Sequence, residues 1–280
     1  MNQEVSLETK LQALKELLTR YNSCIVAFSG GVDSSLLYKA AVDVLGDRVL
    51  AVTADSETYT PNELEQAKKL AVKLNANFQV IKTSELNNPA FTKNPPNRCY
   101  FCKQELYGKL LAIAKEKGYA YVLDGANADD TSDFRPGMMA AKELGIQSPL
   151  KEAGLNKEDI RTLARRIGLT NWDKPSFACL SSRFPYGHTI TPQKLDQVAK
   201  AEELLRKLGF KQFRVRHHGD IARLEVELAD LPRLMEEPLR QTIVNTLREI
   251  GFPYVTVDLA GFRSGSMNEV LPEEVKNGSN

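Results

Sequence analysis

Cys24-Ile25-Val26-Ala27-Phe28 runs directly into Ser29-Gly30-Gly31-Val32-Asp33-Ser34-Ser35, which opens Leu36-Leu37-Tyr38-Lys39-Ala40-Ala41. The first run has the apolar content of a buried strand and the last has a helical pattern, so the polar stretch between them is a strand-to-helix turn. Two glycines let the backbone turn tightly and approach a ligand closely. The N–H groups that follow stand at a helix N-terminus, where the dipole favours anions. Ser34 and Ser35 add hydroxyl donors, and Asp33 can face a magnesium ion that screens phosphates. Ser29, Gly30, Gly31, Asp33, Ser34 and Ser35 together read as a pyrophosphate cradle, against the plainer alternative of an ordinary Gly-Ser turn. No Gly-Lys-Ser/Thr follows the glycines and G-x-G-x-x-G is absent, which excludes a Walker loop and a dinucleotide fingerprint.

Outward from this turn, strand-like runs recur at 23–28, 49–54, 77–82 and 120–123 with helical patterns between them, after a leading amphipathic helix over 6–20 carrying Leu7, Leu11, Leu14, Leu17 and Leu18. This alternation predicts an α/β fold: a parallel sheet with helices on both faces and ligands at the carboxyl ends of the strands. Three polar loops fall at those ends: Ser29–Ser35, Asp55-Ser56-Glu57, and Asp124–Asp130 with Gly125, a further nucleotide-contacting candidate. A helix over Lys157–Ile167 leads to Gly168–Trp172 and then to a loop, Lys174–Gly187. Beyond it the pattern changes to a helix at 192–208, strands at 212–217 and 221–228, a helix at 230–249 and a strand at 253–259. The expected division is therefore an α/β domain over 1–186 and a smaller C-terminal α+β domain over 187–280, assigned to substrate binding and oligomerisation. The tail after Pro272 is expected to be mobile.

The chain has 280 residues with a formal net charge of +1, so no global basic field argues for a nucleic-acid partner. No apolar run approaches the ~20 residues of a membrane helix, and Met1–Val5 lacks the basic and apolar regions of a secretory signal. Four cysteines in such a chain suit chemistry rather than disulfides. The expectation is a cytoplasmic enzyme with no membrane partner.

Cys99 and Cys102 lie in Pro95-Pro96-Asn97-Arg98-Cys99-Tyr100-Phe101-Cys102-Lys103. Asn97 is a plausible N-cap for a helix running to about Lys117, and the spacing puts both sulfurs on one face of its first turn. There the dipole, with Arg98 and Lys103, favours thiolates. Cys179 lies in a later loop that can converge on the same sheet edge. Three thiolates do not close a structural zinc site. They could hold three irons of a [4Fe–4S] cluster; His217 or His218 could complete a zinc site; Cys99 and Cys102 could be a redox dithiol; or the cysteines could be unrelated. Cys24 sits in a buried strand pattern and reads as core.

Arg214 and Arg216 alternate at strand spacing and project from one face, where paired guanidinium forks suit phosphate or carboxylate groups. Arg263, beside Gly261 and Gly265, is a third candidate. The plainer alternative is a solvated face paired with Glu225 and Glu227.

The opening signature, SGGxDS, resembles that of the PP-loop ATP pyrophosphatases, which implies the adenine nucleotide alpha-hydrolase-like fold and cleavage of ATP between its α and β phosphates. A closer resemblance rests on SGGVDSS (29–35), LDGANADD (123–130), FRPG (134–137), SSRFPYG (181–187), RVRHHGDIARLE (214–225) and DLAGFRSGSMN (258–268). Together these are similar to the LarE-type sulfur transferases of nickel-pincer nucleotide cofactor synthesis. The resemblance implies ATP and Mg2+ as cofactors, with Asp33 as the magnesium ligand and a catalytic residue. It implies adenylation of the carboxylates of a pyridinium-3,5-biscarboxylic acid mononucleotide, with Arg214, Arg216 and Arg263 on its phosphate, followed by conversion to thiocarboxylates. It also implies a homo-oligomer and leaves room for a sulfur donor protein. In its best-known form one cysteine of the loop before SSRFPYG gives up its sulfur. Here Cys179 lies one residue off that register, and Cys99 and Cys102 are additional, as in cluster-dependent members. Sulfur thus comes from a cluster-bound sulfide held by Cys99, Cys102 and Cys179, or from Cys179 itself. The rival readings are a tRNA thiolase, an amide-forming synthase and a non-catalytic ATP-binding regulator.

Overall fold

The computed structural model describes residues 6–131, 136–174, 178–263 and 265–272. Phe134, Arg135, Pro175–Phe177, Ser264 and the tail beyond Pro272 lie outside the described residues. In chain order the elements are α1 (Leu7–Arg20), β1 (Cys24–Ala27), α2 (Val32–Leu45), β2 (Val49–Asp55), α3 (Pro61–Lys73), β3 (Phe78–Lys82), α4 (Pro89–Thr92), α5 (Arg98–Lys117), β4 (Tyr121–Leu123), α6 (Pro136–Glu143), α7 (Pro149–Glu152), α8 (Lys157–Arg166), α9 (Pro192–Lys207), β5 (Phe213–His218), β6 (Ile221–Val226), α10 (Leu231–Leu234), α11 (Leu239–Ile250) and β7 (Tyr254–Val257).

Two compact units divide the chain: Met1–Ser84 with Cys99–Phe177, and Glu85–Arg98 with Ala178–Asn280. The division thus falls between Phe177 and Ala178 rather than near residue 186, and the second unit recruits Glu85–Arg98. The cause is local. Asn94, fully buried, donates its amide to the carbonyls of Phe184 (3.2 Å) and Pro185 (2.7 Å). The Gly187 N–H donates to the Asn94 carbonyl and the Ile190 N–H to that of Thr92. Hydrogen bonds of this kind leave no periodic signal in the sequence.

In the first unit the strands pair in parallel in the order β3-β2-β1-β4. Alternation along β1 distributes its side chains to two cores. Cys24 and Val26 pack with Leu14, Leu18, Leu37, Ile160 and Leu163 from α1, α2 and α8. Ile25 packs with Tyr107, Leu110 and Ala141 from α5 and α6. Helices therefore cover both faces, as the βα alternation predicts. The chain crosses from β1 to β2 on one side and returns to β4 on the other, so the β1–α2 turn stands at the switch point where such sheets bind ligands. Side-chain caps set the flanking helices: Thr60 and Glu63 form a capping box on α3, and Asn156 and Asp159 another on α8.

The second unit carries a mixed sheet in the order β5-β6-β7, with β5–β6 antiparallel and β6–β7 parallel. Phe213, Val215 and Leu224 pack there with Leu205, Leu247 and Phe252. The helix expected over 230–249 is two helices, α10 and α11, because Pro238 cannot donate the N–H that an unbroken helix would need there. Among the described residues no helix is long and apolar enough to cross a membrane.

Candidate active site

At the β1–α2 turn, Gly30 takes φ +70°, and a Cβ there would stand 2.9 Å from the Cα of Ala67 on α3. Glycine is thus required twice, by conformation and by close approach. Gly31 caps α2 without a side-chain bond to the helix N–H groups. The Ser29 hydroxyl accepts from the Gly31 N–H (3.3 Å), and the Ser35 hydroxyl donates to the Gly31 carbonyl (2.7 Å). The Ser34 hydroxyl accepts from the Ser29 N–H at 3.2 Å. Gly125, at the end of β4, lets that loop lie against the same turn: a Cβ on it would be 3.1 Å from the Ser34 nitrogen. All seven nucleotide-site candidates of the first unit, Ser29, Gly30, Gly31, Asp33, Ser34, Ser35 and Gly125, therefore belong to one locus.

Three partners of this locus escaped the sequence reading as site residues. Lys157, first residue of α8, places its ammonium 2.5 Å from Asp33 Oδ2. Asn127 donates to Asp33 Oδ1 at 3.2 Å. Asn171 donates to the Gly30 carbonyl (3.2 Å) and the Ser35 hydroxyl (3.1 Å). Each oxygen of the Asp33 carboxylate thus has a donor, Asn127 on Oδ1 and Lys157 on Oδ2.

Cys99 and Cys102 occupy the first turn of α5, Cys99 exposed and Cys102 partly exposed. Lys103 beside them lies 5.1 Å from the Tyr107 ring centroid. The Tyr107 oxygen foremost, then Tyr59, Asp124 and Cys102, hold this ammonium above the ordinary lysine range against the opposing effect of burial. Tyr107 donates to Asp124 Oδ2 at 2.8 Å, and Asp124 Oδ1 accepts from the Ser148 hydroxyl at 2.7 Å. The cysteine-bearing helix is thereby tied to the residue preceding Gly125. Cys24 is fully buried, and burial pushes its thiol up to about 12, which fits the core role expected for it.

Cys179 belongs to the second unit and is partly exposed. Arg183, 1 % exposed, donates to the Ala178 carbonyl (2.8 Å) and the Cys179 carbonyl (3.2 Å) while its other nitrogens pair with Glu202 at 2.7 and 2.9 Å. Arg216 is likewise buried. It forms a fork with Glu225 at 2.9 Å on both oxygens and donates to the Ser182 carbonyl (2.6 Å) and the Ser266 hydroxyl (2.8 Å). These two arginines anchor the Cys179 loop. Arg183 lies in the SSRFPYG stretch, but its anchoring role depends on Glu202, nineteen residues away.

Arg214 lies on the same strand face, buried, with its guanidinium 4.9 Å from the Phe262 ring centroid. Burial first, then the neighbouring Arg183 and Arg216, push its pKa down to about 10. Neither Arg214 nor Arg216 lies on a solvated face, but Arg216 does pair with Glu225, an acid named in the plainer alternative. Arg263 is more exposed and pairs with Glu269 at 3.0 Å. His217 lies between Phe184 and Phe252. Its Nε2 meets Gln197 Oε1 at 3.3 Å and its Nδ1 accepts from the Gly219 N–H at 3.2 Å. Both ring nitrogens are thus engaged. Among the described residues no three His, Cys, Asp or Glu side chains are grouped as metal ligands.

A parallel sheet with helices on both faces and a glycine-serine cradle at its switch point defines a PP-loop nucleotide-binding domain. Comparison with known proteins agrees: residues 7–106 match the NAD synthase family model. The chain is 44% identical to pyridinium-3,5-bisthiocarboxylic acid mononucleotide synthase of Lactiplantibacillus plantarum, over 95% of this chain and 96% of that protein. It is 45% identical to an uncharacterized Synechocystis protein, over 95% and 99% of the two chains. It is 32% identical to an uncharacterized protein of Methanocaldococcus jannaschii, over 86% and 90%. The chain belongs to the LarE family of PP-loop, ATP-dependent sulfurtransferases.

Proposed function

We propose that this enzyme adenylates the carboxylates of pyridinium-3,5-biscarboxylic acid mononucleotide and converts them to thiocarboxylates. The observation that carries the reading is the cradle of Gly30, Gly31, Ser34 and Ser35 at the N-terminus of α2, with Asp33 and Lys157 beside it, in a chain 44% identical to a synthase of the bisthiocarboxylic product. A carboxylate is a poor electrophile. Its oxygen attacks the α-phosphorus of ATP, the bond to the β-phosphate breaks, and diphosphate leaves from an acyl-adenylate. The α2 N–H groups and the Ser34 and Ser35 hydroxyls meet the charge that develops on the departing group. Asp33 would hold magnesium, which when bound neutralises part of the phosphate charge.

A sulfur anion then attacks the acyl carbon, and AMP leaves. Cys99, Cys102 and Cys179 are the residues assigned to sulfur delivery. If Cys179 gives up its own sulfur, its Cβ–S bond breaks as the α-proton is lost, leaving dehydroalanine. A [4Fe–4S] cluster on the three cysteines would instead supply a sulfide. Arg216 serves this chemistry by fixing the Cys179 loop, and Arg214 and Arg263 are the residues assigned to the nucleotide phosphate. The same reading makes the enzyme a cytoplasmic homo-oligomer, fed by a sulfur donor protein wherever its cysteines are reloaded. The test is anaerobic purification with iron and sulfide determination, followed by turnover with ATP and the pyridinium substrate. Iron at about four per chain supports the cluster, whereas metal-free protein lighter by about 34 Da per sulfur delivered supports sacrifice. Pyrophosphate release that does not depend on the pyridinium substrate overturns the reading.

A further inference from the structure

A cavity of about 510 Å³ opens beside the PP-loop within the first unit, lined among others by Asp129, Lys157, Glu158, Arg161, Arg165 and Trp172. One lining residue and the neighbour of another touch the loop itself. Lys157 reaches Asp33, and Asn171, the residue before Trp172, holds Gly30 and Ser35. Lys157, Arg161 and Arg165 recur at four-residue spacing on α8 and so line one face of that helix, with its N-terminal dipole at the end nearest Asp33.

The charges along this face are unevenly compensated. Asp129 accepts from the Lys157 N–H at 2.9 Å. Among the described residues neither Arg161 nor Arg165 forms an ion pair, and the Arg161 Nε is buried with no acceptor. The guanidinium of Arg165, an exposed residue, lies over the Trp172 ring, 5.1 Å from its centroid. With Lys157 engaged by Asp33, the lining sets Arg161 and Arg165 against Asp129 and Glu158, so it carries little net charge. That suits a magnesium-complexed diphosphate better than a bare tetraanion.

We infer that this cavity is a product subsite that takes the diphosphate from the PP-loop after adenylation, with Arg161 and Arg165 as its binding residues. The inference rests on the reading that ATP is split to AMP and diphosphate here. Clearing the leaving group from the loop would keep the acyl-adenylate from reverting to ATP while the sulfur anion approaches.

The test is calorimetric titration of the full chain with inorganic pyrophosphate and magnesium, without ATP, for the wild type, Arg161→Gln, Arg165→Gln and the double variant. Each single change should weaken pyrophosphate binding about tenfold, as loss of one charge-assisted contact does. AMP affinity and thermal midpoint should stay unchanged. Unaltered pyrophosphate affinity in the double variant overturns the inference, as does an equal loss of AMP and pyrophosphate binding. A wild type that forms AMP and diphosphate but does not bind added pyrophosphate overturns the subsite alone. Failure to form AMP overturns the adenylation reading, whatever the titration shows.

Discussion

Replacing Arg183 by methionine isolates the buried pair that anchors the Cys179 loop. The guanidinium is 1 % exposed and Glu202 3 %, with both Glu202 oxygens accepting from it. The variant leaves the Glu202 carboxylate buried with the Val215 N–H, at 3.1 Å, as a remaining donor. Removing one member of such a pair costs about 3–5 kcal/mol, chiefly because the other charge is stranded. The freed carbonyls of Ala178 and Cys179 can turn to water and add little. Changing both residues, Arg183→Met with Glu202→Leu, removes the stranded charge and should recover all but about 1–2 kcal/mol. Urea unfolding followed by far-ultraviolet circular dichroism measures this. Fluorescence of Trp172, the one tryptophan of the chain, reports the first unit separately. The refolded double variant should still form AMP yet transfer sulfur slowly, since the Cys179 loop has lost its anchor. A single-variant loss under about 1 kcal/mol, or no recovery in the double variant, refutes this account of the pair.

Gly30→Ala forces a left-handed residue, costing about 1–2 kcal/mol, and drives its Cβ into the backbone of Ala67, so AMP formation should fall at least about tenfold. A quench-flow AMP assay checks this. Lys157→Met removes the cation beside Asp33 and should slow the same step about a hundredfold, a loss comparable to that of one transition-state donor. A rate near that of the wild type would show that the contact is structural only. Burial holds His217 and His218 below their ordinary 6.5, so the unfolded chain takes up protons that the folded chain refuses. Stability of the second unit should therefore be full above about pH 6.5 and decline as pH falls below it. His217→Gln should flatten that decline in urea titrations at several pH values.

The sheet was legible because β1 and β2 are short apolar runs closed by polar loops, a pattern that buried parallel strands impose on any sequence. The cradle was legible because its glycines and serines are contiguous. Its partners were not. Lys157 lies 124 residues from Asp33 and Asn171 lies 136 from Ser35, and only the packing of α8 against α2 brings them together. In the second unit, strand alternation put Arg214 and Arg216 on one face. Glu225 was legible as a candidate partner, but alternation could not show that the Ser182 carbonyl also takes a hydrogen bond from Arg216, which makes Arg216 an anchor of the sulfur-bearing loop. Glu85–Arg98 joined the second unit through the amide of Asn94, and a single side chain of that kind has no periodic signature.

One measurement bears most directly on the activation and sulfuration chemistry. The anaerobic enzyme is mixed with magnesium, ATP and pyridinium-3,5-biscarboxylic acid mononucleotide, and AMP and the pyridinium species are followed together by mass spectrometry. One AMP per thiocarboxylate formed, with both lost in Gly30→Ala and only the thiocarboxylate lost when Cys179 is replaced by serine, is the predicted result. AMP formation without any sulfur-containing product in the wild type would contradict it.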